Sequence, residues 1–296
     1  MDKDTIKRLI IEYQQFAANI TLIEREIHLS HQLNYVFVGL RRAGKSYLMY
    51  QQIQSLLNDG HQPEEILYFN FEDDRLVNLT VEDLDLIKVS YEELYPHKPI
   101  FFLDEIQIVK HWEKFARRLA DQQYRVYITG SNAKMLSAEI ATTLGERYIV
   151  QNVYPFSFSE FLKASKIEIG PTWYYKNRTE IVRTFSDYFS YGGLPELMLI
   201  ETIEKRQWLS NLFNKIFFGD LITRYSIRND LAMKVLIRKL AESVKQPSSF
   251  NRLTNIVSTT GAKVSTDTII DYLNFLQATW LFFSLENYAS LSLIHI

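Results

Sequence analysis

The sequence predicts an α/β chain: a parallel sheet with helices on both faces, followed by a mainly helical second half. Two observations carry this expectation. Short apolar runs alternate with helical patterns over residues 34–153, the pattern of parallel strands joined by crossover helices. Beyond about residue 178 apolar residues recur almost only at helical spacing. Composition agrees. In 296 residues, 47% hydrophobic and 23% charged content with 18 Tyr and 19 Phe describes a globular protein able to bury more than one core.

Taken in order, the first element is a helix, because Ile6, Leu9, Ile10, Tyr13 and Phe16 share one face within TIKRLIIEYQQFAANITLIERE. NYVFVGL (34–40), EILYFNF (65–71), PIFFLDE (99–105), YRVYITG (124–130) and RYIVQNV (147–153) each read as a buried strand. Helical patterns fall between them at about 45–58, 81–95, 112–122 and 133–143. After YPFSFSEFLKA and a polar stretch, SKIEIGPTWYYKNRT, helices are expected at 178–191, 195–226, 229–245, 250–258 and 266–278. A short strand, Leu281-Phe282-Phe283, is expected last.

Several chemistries are excluded at this level. Without cysteine there is no disulfide, zinc–thiolate site or thiol nucleophile. The six histidines are scattered, with no paired metal-ligand spacing. The charged start, MDKDTIKRLIIEY, and apolar runs of at most four residues predict a cytoplasmic protein with no membrane span. A net charge of −2 gives no global field for nucleic acid.

Gly39-Leu40-Arg41-Arg42-Ala43-Gly44-Lys45-Ser46 matches GxxxxGK[ST], directly after strand NYVFV and opening helix KSYLMYQQIQSLL. Glycines there let backbone N–H groups converge on phosphate oxygens at a helix N-terminus. In this pattern Lys45 reaches the outer phosphates and the Ser46 hydroxyl ligates Mg²⁺, with Tyr47 next along the loop. A second element, Ile100-Phe101-Phe102-Leu103-Asp104-Glu105, is an apolar strand ending in two carboxylates. Such acids belong at the carboxyl edge of a sheet. Asp104 is expected to hold Mg²⁺ directly or through water, and Glu105 to polarise an attacking water. The third element ends YITGSN, where Ser131 or Asn132 would sit beside a γ-phosphate or simply cap the next helix.

These residues and their order resemble the prokaryotic AAA-type P-loop ATP-binding proteins that carry a C-terminal domain of unknown function. The resemblance runs from about residue 20 to 285 and rests on GLRRAGKS, ILYFNFEDDRL, IFFLDEIQ, ITGSNAKML, YPFSFSEFL and YGGLPEL. It implies a P-loop sheet of order 5-1-4-3-2, with Mg²⁺ and ATP as cofactors. It also implies that Pro195 of Gly193-Leu194-Pro195 lies against the adenine. Domains are then expected at 1–30 (N-terminal helix), 31–165 (ATPase core), 166–228 (helical lid) and 229–296 (winged-helix-like, incomplete at the C-terminus). Two departures stand out. The usual Gly-Arg pair is here Gly145-Glu146-Arg147, and SLSLIHI at the end breaks the family pattern.

Residues 224–263 carry Arg224, Arg228, Lys234, Arg238, Lys239, Lys245, Arg252 and Lys263 against Asp230 and Glu242. That excess could follow phosphates. The expected recognition helix, STDTIIDYLNFLQ, instead carries Asp267 and Asp271 and no Lys or Arg. The opposite excess lies at 64–93, ten acids against Arg75 and Lys88, so the basic tail has a protein surface as an alternative to weak, non-specific DNA. The expected function is an ATPase that couples nucleotide state to domain movement, as a homo-oligomer or with a protein partner. A binding switch with little turnover, or a DNA-binding regulator with structural ATP, are the alternatives. Arg117, Arg118 and Arg224 are candidate arginine fingers.

Overall fold

In the computed structural model the described residues are 2–76, 79–130, 142–167, 170–244, 248–261 and 264–284. The chain divides into two compact units, 1–205 and 206–296. In the first unit, β1 (Asn34–Val38), β2 (Ile66–Asn70), β3 (Ile100–Asp104), β4 (Val126–Gly130) and β5 (Tyr148–Asn152) form one sheet of order β2-β3-β4-β1-β5. All its pairings are parallel. This is the P-loop order 5-1-4-3-2, read from the other edge.

One face of the sheet is an aromatic row in strict register. Tyr68 lies opposite Phe102, Phe102 opposite Tyr127, and Tyr127 opposite Tyr35. Phe102 and Tyr127 stack at 4.6 Å between centroids. Each such ring pair contributes about 0.5–1.5 kcal/mol beyond its buried area. α2 (Lys45–Asn58) closes this face with Leu48, Met49, Ile53 and Leu56. On the other face, α4 (Trp112–Asp121) buries Trp112, Phe115, Ala116 and Leu119, with Phe115 edge-on to Phe101. α1 (Lys3–Asn19) packs on β2 and on α3 (Val81–Leu94) through Ile6, Leu9 and Ile10.

Several expectations are corrected. The first helix ends at Asn19, not in the twenties or at residue 30, because Ile20 is extended at ψ 135°. The chain beyond is not helical, and Arg25 on it lies in the interior. β5 is not a buried strand: among the described residues it is an edge that pairs only with β1, and Ile149 and Val150 are 44% and 48% exposed. The single helix expected over 195–226 is three pieces. Pro195–Leu199 is a 3-10 turn starting at a proline without an N–H, α7 covers Thr202–Lys215, and Ile216–Thr223 is a π-helix. The helix expected at 133–143 lies largely outside the described residues.

Between these, α5 (Phe158–Ala164) and α6 (Arg178–Tyr191) are further helices of the first unit. In the second unit α8 (Asp230–Glu242), α9 (Phe250–Ser258) and α10 (Thr266–Ala278) share a core of Met233, Leu236, Leu253, Val257, Ile269 and Leu276. Leu281-Phe282-Phe283 is not a strand. Trp280 takes a left-handed φ of 64°, and Leu281 N–H returns to Leu276 C=O, so the segment closes the end of α10 instead. Several expected phosphate-following cations are engaged locally: Lys234 with Asp230, Lys239 with Glu242 and Arg224 with Asp220. Lys245 and Lys263 lie outside the described residues.

Candidate functional site

The loop between β1 and α2 is shaped by contacts that only glycine permits. A Cβ on Gly39 would stand 2.1 Å from the Val153 carbonyl oxygen. Gly44 is left-handed at φ 94° and opens α2, whose first-turn N–H groups face the loop. Arg42 also takes a positive φ, 64°. Lys45 is buried, and its Nζ donates to the carbonyls of Gly39 (3.3 Å) and Leu40 (3.2 Å). Burial holds its ammonium below the usual lysine range, against the opposing pull of the Glu105 and Asp104 carboxylates.

The order β3-β4-β1 brings the carboxyl end of β3 to this loop. Asp104 is fully interior, yet both of its oxygens are served. Tyr68 OH donates to Oδ2 at 2.6 Å, Thr129 Oγ1 donates to Oδ1, and the Ser46 hydroxyl is a further partner. Burial raises this carboxyl above its ordinary value, and the three hydroxyls oppose that rise. Tyr50 OH extends the chain to Tyr68 OH at 2.9 Å. Glu105 follows in a left-handed conformation, φ 56°, with its N–H fixed by Thr129 Oγ1 at 2.9 Å. A hydroxyl and a carboxylate side by side suit a hard, oxygen-liganded cation such as Mg²⁺, which keeps most of its water. Among the described residues no group of three or more His, Cys, Asp or Glu forms a closed metal cage.

The remaining sequence-predicted residues divide. Arg41 faces Glu72 at 3.9 Å, Arg42 pairs with Glu196, and Tyr47 is exposed, edge-on to Tyr50. Pro195 reaches the loop: its Cγ lies 3.8 Å from where a Cβ on Gly44 would stand. Gly193 is equally constrained, since a Cβ there would be 2.2 Å from the Phe156 carbonyl oxygen. Ser131 and Asn132 lie outside the described residues. Arg117, Arg118 and Arg147 are engaged elsewhere, by Asp121, Asp85 and Asp121 respectively. Arg224 belongs to the second unit, paired with Asp220.

Sequence reasoning missed Tyr68, Thr129 and, above all, Arg25. Arg25 is 5% exposed and donates to Glu160 Oε1 (2.8 Å), Ala43 C=O (3.0 Å) and Tyr154 C=O (2.8 Å), with Phe156 beneath it at 5.0 Å. It thus braces the phosphate-type loop from behind. Burial pushes the Glu160 carboxyl up. Arg25 and the amides of Ser157 and Glu26 outweigh that and hold it below the usual carboxylate range. The only sequence signal was the Ser157-x-x-Glu160 capping box. Arg25→Met should cost about 3–5 kcal/mol by urea unfolding, because an unpaired Glu160 stays buried. Lys163→Met, at the exposed Lys163–Glu24 pair, should cost no more than about 1 kcal/mol. Equal costs would show that Arg25 is not the brace.

Residues 31–162 match a family described as an AAA domain, and residues 182–293 match a domain of unknown function. An uncharacterized protein of Methanocaldococcus jannaschii is 32% identical over 97% of this chain and 64% of its own length. One of Haemophilus influenzae is 32% identical over 90% of this chain and 67% of its own length. The chain therefore spans about two thirds of these relatives. Among solved structures, AMPPCP-bound DnaA from Aquifex aeolicus aligns over 92% of this chain and 87% of its own, at 14% identity and a TM-score of 0.35. A DNA polymerase III gamma-subunit-related protein of Thermotoga maritima aligns over 95% and 99%, at 13% identity and a TM-score of 0.35.

Proposed function

Since the chain belongs to the family of AAA-type P-loop proteins with a C-terminal domain of unknown function, we propose that it binds Mg-ATP at the β1–α2 loop and hydrolyses it to ADP and phosphate. The observation that carries this reading is the convergence of Lys45, Ser46, Asp104 and Glu105 at one carboxyl edge of the sheet. Loop amides and Lys45 would neutralise the phosphates. Ser46 and Asp104 would hold Mg²⁺, which supplies charge neutralisation on the β- and γ-oxygens when bound. Glu105 would orient and deprotonate water. Catalysis of this kind is positioning and electrostatics. Pro195 and the Arg42–Glu196 pair tie the loop to the segment after α6, a route by which nucleotide state could reach the helical part of the first unit.

ATP turnover by the purified chain over a range of protein concentrations tests this, with and without DNA. Activity per chain that rises with concentration would reveal an arginine supplied between copies, an effect typically worth 10³–10⁵ in rate. Binding without turnover at any concentration would leave a nucleotide-dependent switch. Acceleration by DNA would favour a nucleic-acid partner for the basic 224–263 segment over a protein one. A chain that does not bind Mg-ATP at all would refute the proposal.

A further inference from the structure

The two neighbouring arginines of the β1–α2 loop are held by different parts of the first unit. Arg42, left-handed at φ 64°, pairs with Glu196 in the segment after α6. Arg41 is not left-handed, is partly buried and lies 3.9 Å from Glu72. The sheet places Glu72. β2 pairs Asn70 with Asp104, and the next N–H, that of Phe71, donates to the Asp104 carbonyl at 2.9 Å. The Glu72 N–H is then held by Asn70 Oδ1, also at 2.9 Å. Glu72 therefore leaves β2 beside the end of β3 where Asp104 and Glu105 stand, and it holds Arg41 on that side of the loop. The field at Lys45 agrees: besides burial, its ammonium is acted on by Glu105, Asp104, Arg41 and Glu72. A guanidinium kept near an ammonium costs the ligand-free loop energy, which a bound polyanion would relieve.

We propose that Arg41 is a catalytic residue, supplying from within the same chain the cation that meets charge developing on the transferred phosphoryl group, with Glu72 as its partner in the ligand-free chain. The inference rests on the ATPase reading. In the step itself the water oxygen bonds to the γ-phosphorus as the bond to the bridging oxygen breaks. ADP leaves with that electron pair, and the proton of the water passes to Glu105. Negative charge grows on the bridging oxygen, and a guanidinium can donate to two oxygens at once where an ammonium acts as a point charge.

The test compares Arg41→Ala, Arg41→Lys, Glu72→Gln and Glu105→Gln with the wild type. Arg41→Ala should lose kcat by about 10³, the lower end of what such an arginine contributes. Arg41→Lys should recover only part of that, because the charge returns without the fork. Both should keep Mg-ADP affinity and the ligand-free melting temperature, and both should fail to trap ADP with aluminium fluoride. Millimolar guanidinium should restore part of the activity of Arg41→Ala and none of that of Glu105→Gln. Glu72→Gln removes the competing anion and should tighten Mg-ATP binding by up to about fivefold, the scale of an exposed ion pair. Unchanged affinity there would overturn the part given to Glu72. Wild-type kcat in Arg41→Ala beside an inactive Glu105→Gln would overturn the role of Arg41 alone. So would joint losses of ADP affinity and melting temperature without guanidinium rescue, the mark of a residue that only shapes the loop. Wild-type activity per chain that climbs steeply with protein concentration would place the cation on another copy and overturn its supply in cis. A wild-type chain that neither hydrolyses ATP nor traps ADP would overturn the ATPase reading, and the role of Arg41 with it.

Discussion

Replacing Lys45 by alanine should abolish most of the stabilisation that Mg-ATP confers on the folded chain. A ligand at about 100 times its Kd stabilises by roughly 2.7 kcal/mol. In a domain of this size that raises the melting temperature by about 5 to 10 °C. Without ligand the Lys45 ammonium makes two rather long bonds to loop carbonyls, at 3.3 and 3.2 Å, and bears the cost of its own burial. Its removal should therefore leave the ligand-free melting temperature nearly unchanged. What should disappear is the buried cation proposed to offset phosphate charge. Differential scanning fluorimetry over an ATP titration, with and without Mg²⁺, reads both quantities. A full-sized shift in the alanine variant would show that ATP binds elsewhere.

The second large effect is expected at Glu105. Glu105→Gln should keep the Mg-ATP shift and lose turnover by about 10²–10⁴, the usual contribution of a positioned general base. The amide keeps the shape of the side chain but cannot take a proton from water. Asp104 is a poorer probe of chemistry, because its oxygens accept from Tyr68 and Thr129. An amide there would turn a donor against a donor and disturb the fold along with the site. Single-turnover ATP hydrolysis separates the chemical step from product release. Turnover at the wild-type rate would leave Glu105 a structural residue.

Much of this protein was settled along the chain. The strand–helix alternation, the glycines of the β1–α2 loop and the acids ending β3 are local patterns with local physical causes. A buried parallel strand is apolar until it emerges, and a loop that approaches another backbone needs glycine. The placement of Gly39, Lys45 and Ser46 at the β1–α2 loop and of Asp104 and Glu105 at the end of β3 was therefore legible, as were the boundaries of α2, α6, α9 and α10. The early end of α1 was not, since the apolar pattern gives no break at Asn19, where the chain turns extended before Arg25 pairs with Glu160 in the interior.

The partners that hold those residues were decided only by the fold. Thr129 touches Asp104 and the Glu105 amide because β3 and β4 are neighbours in the sheet. Tyr68 reaches Asp104 from 36 positions away, and Arg25 meets Glu160 across 135. A side-chain hydrogen bond between distant segments leaves no periodicity or spacing in either of them. Its existence depends on strand order, register and burial, which belong to the whole chain. The sequence by itself determined the fold class and marked the groups expected to do phosphate chemistry, through residue type and local geometry. The tertiary structure decided how they are held, because burying a charge obliges the fold to find it partners.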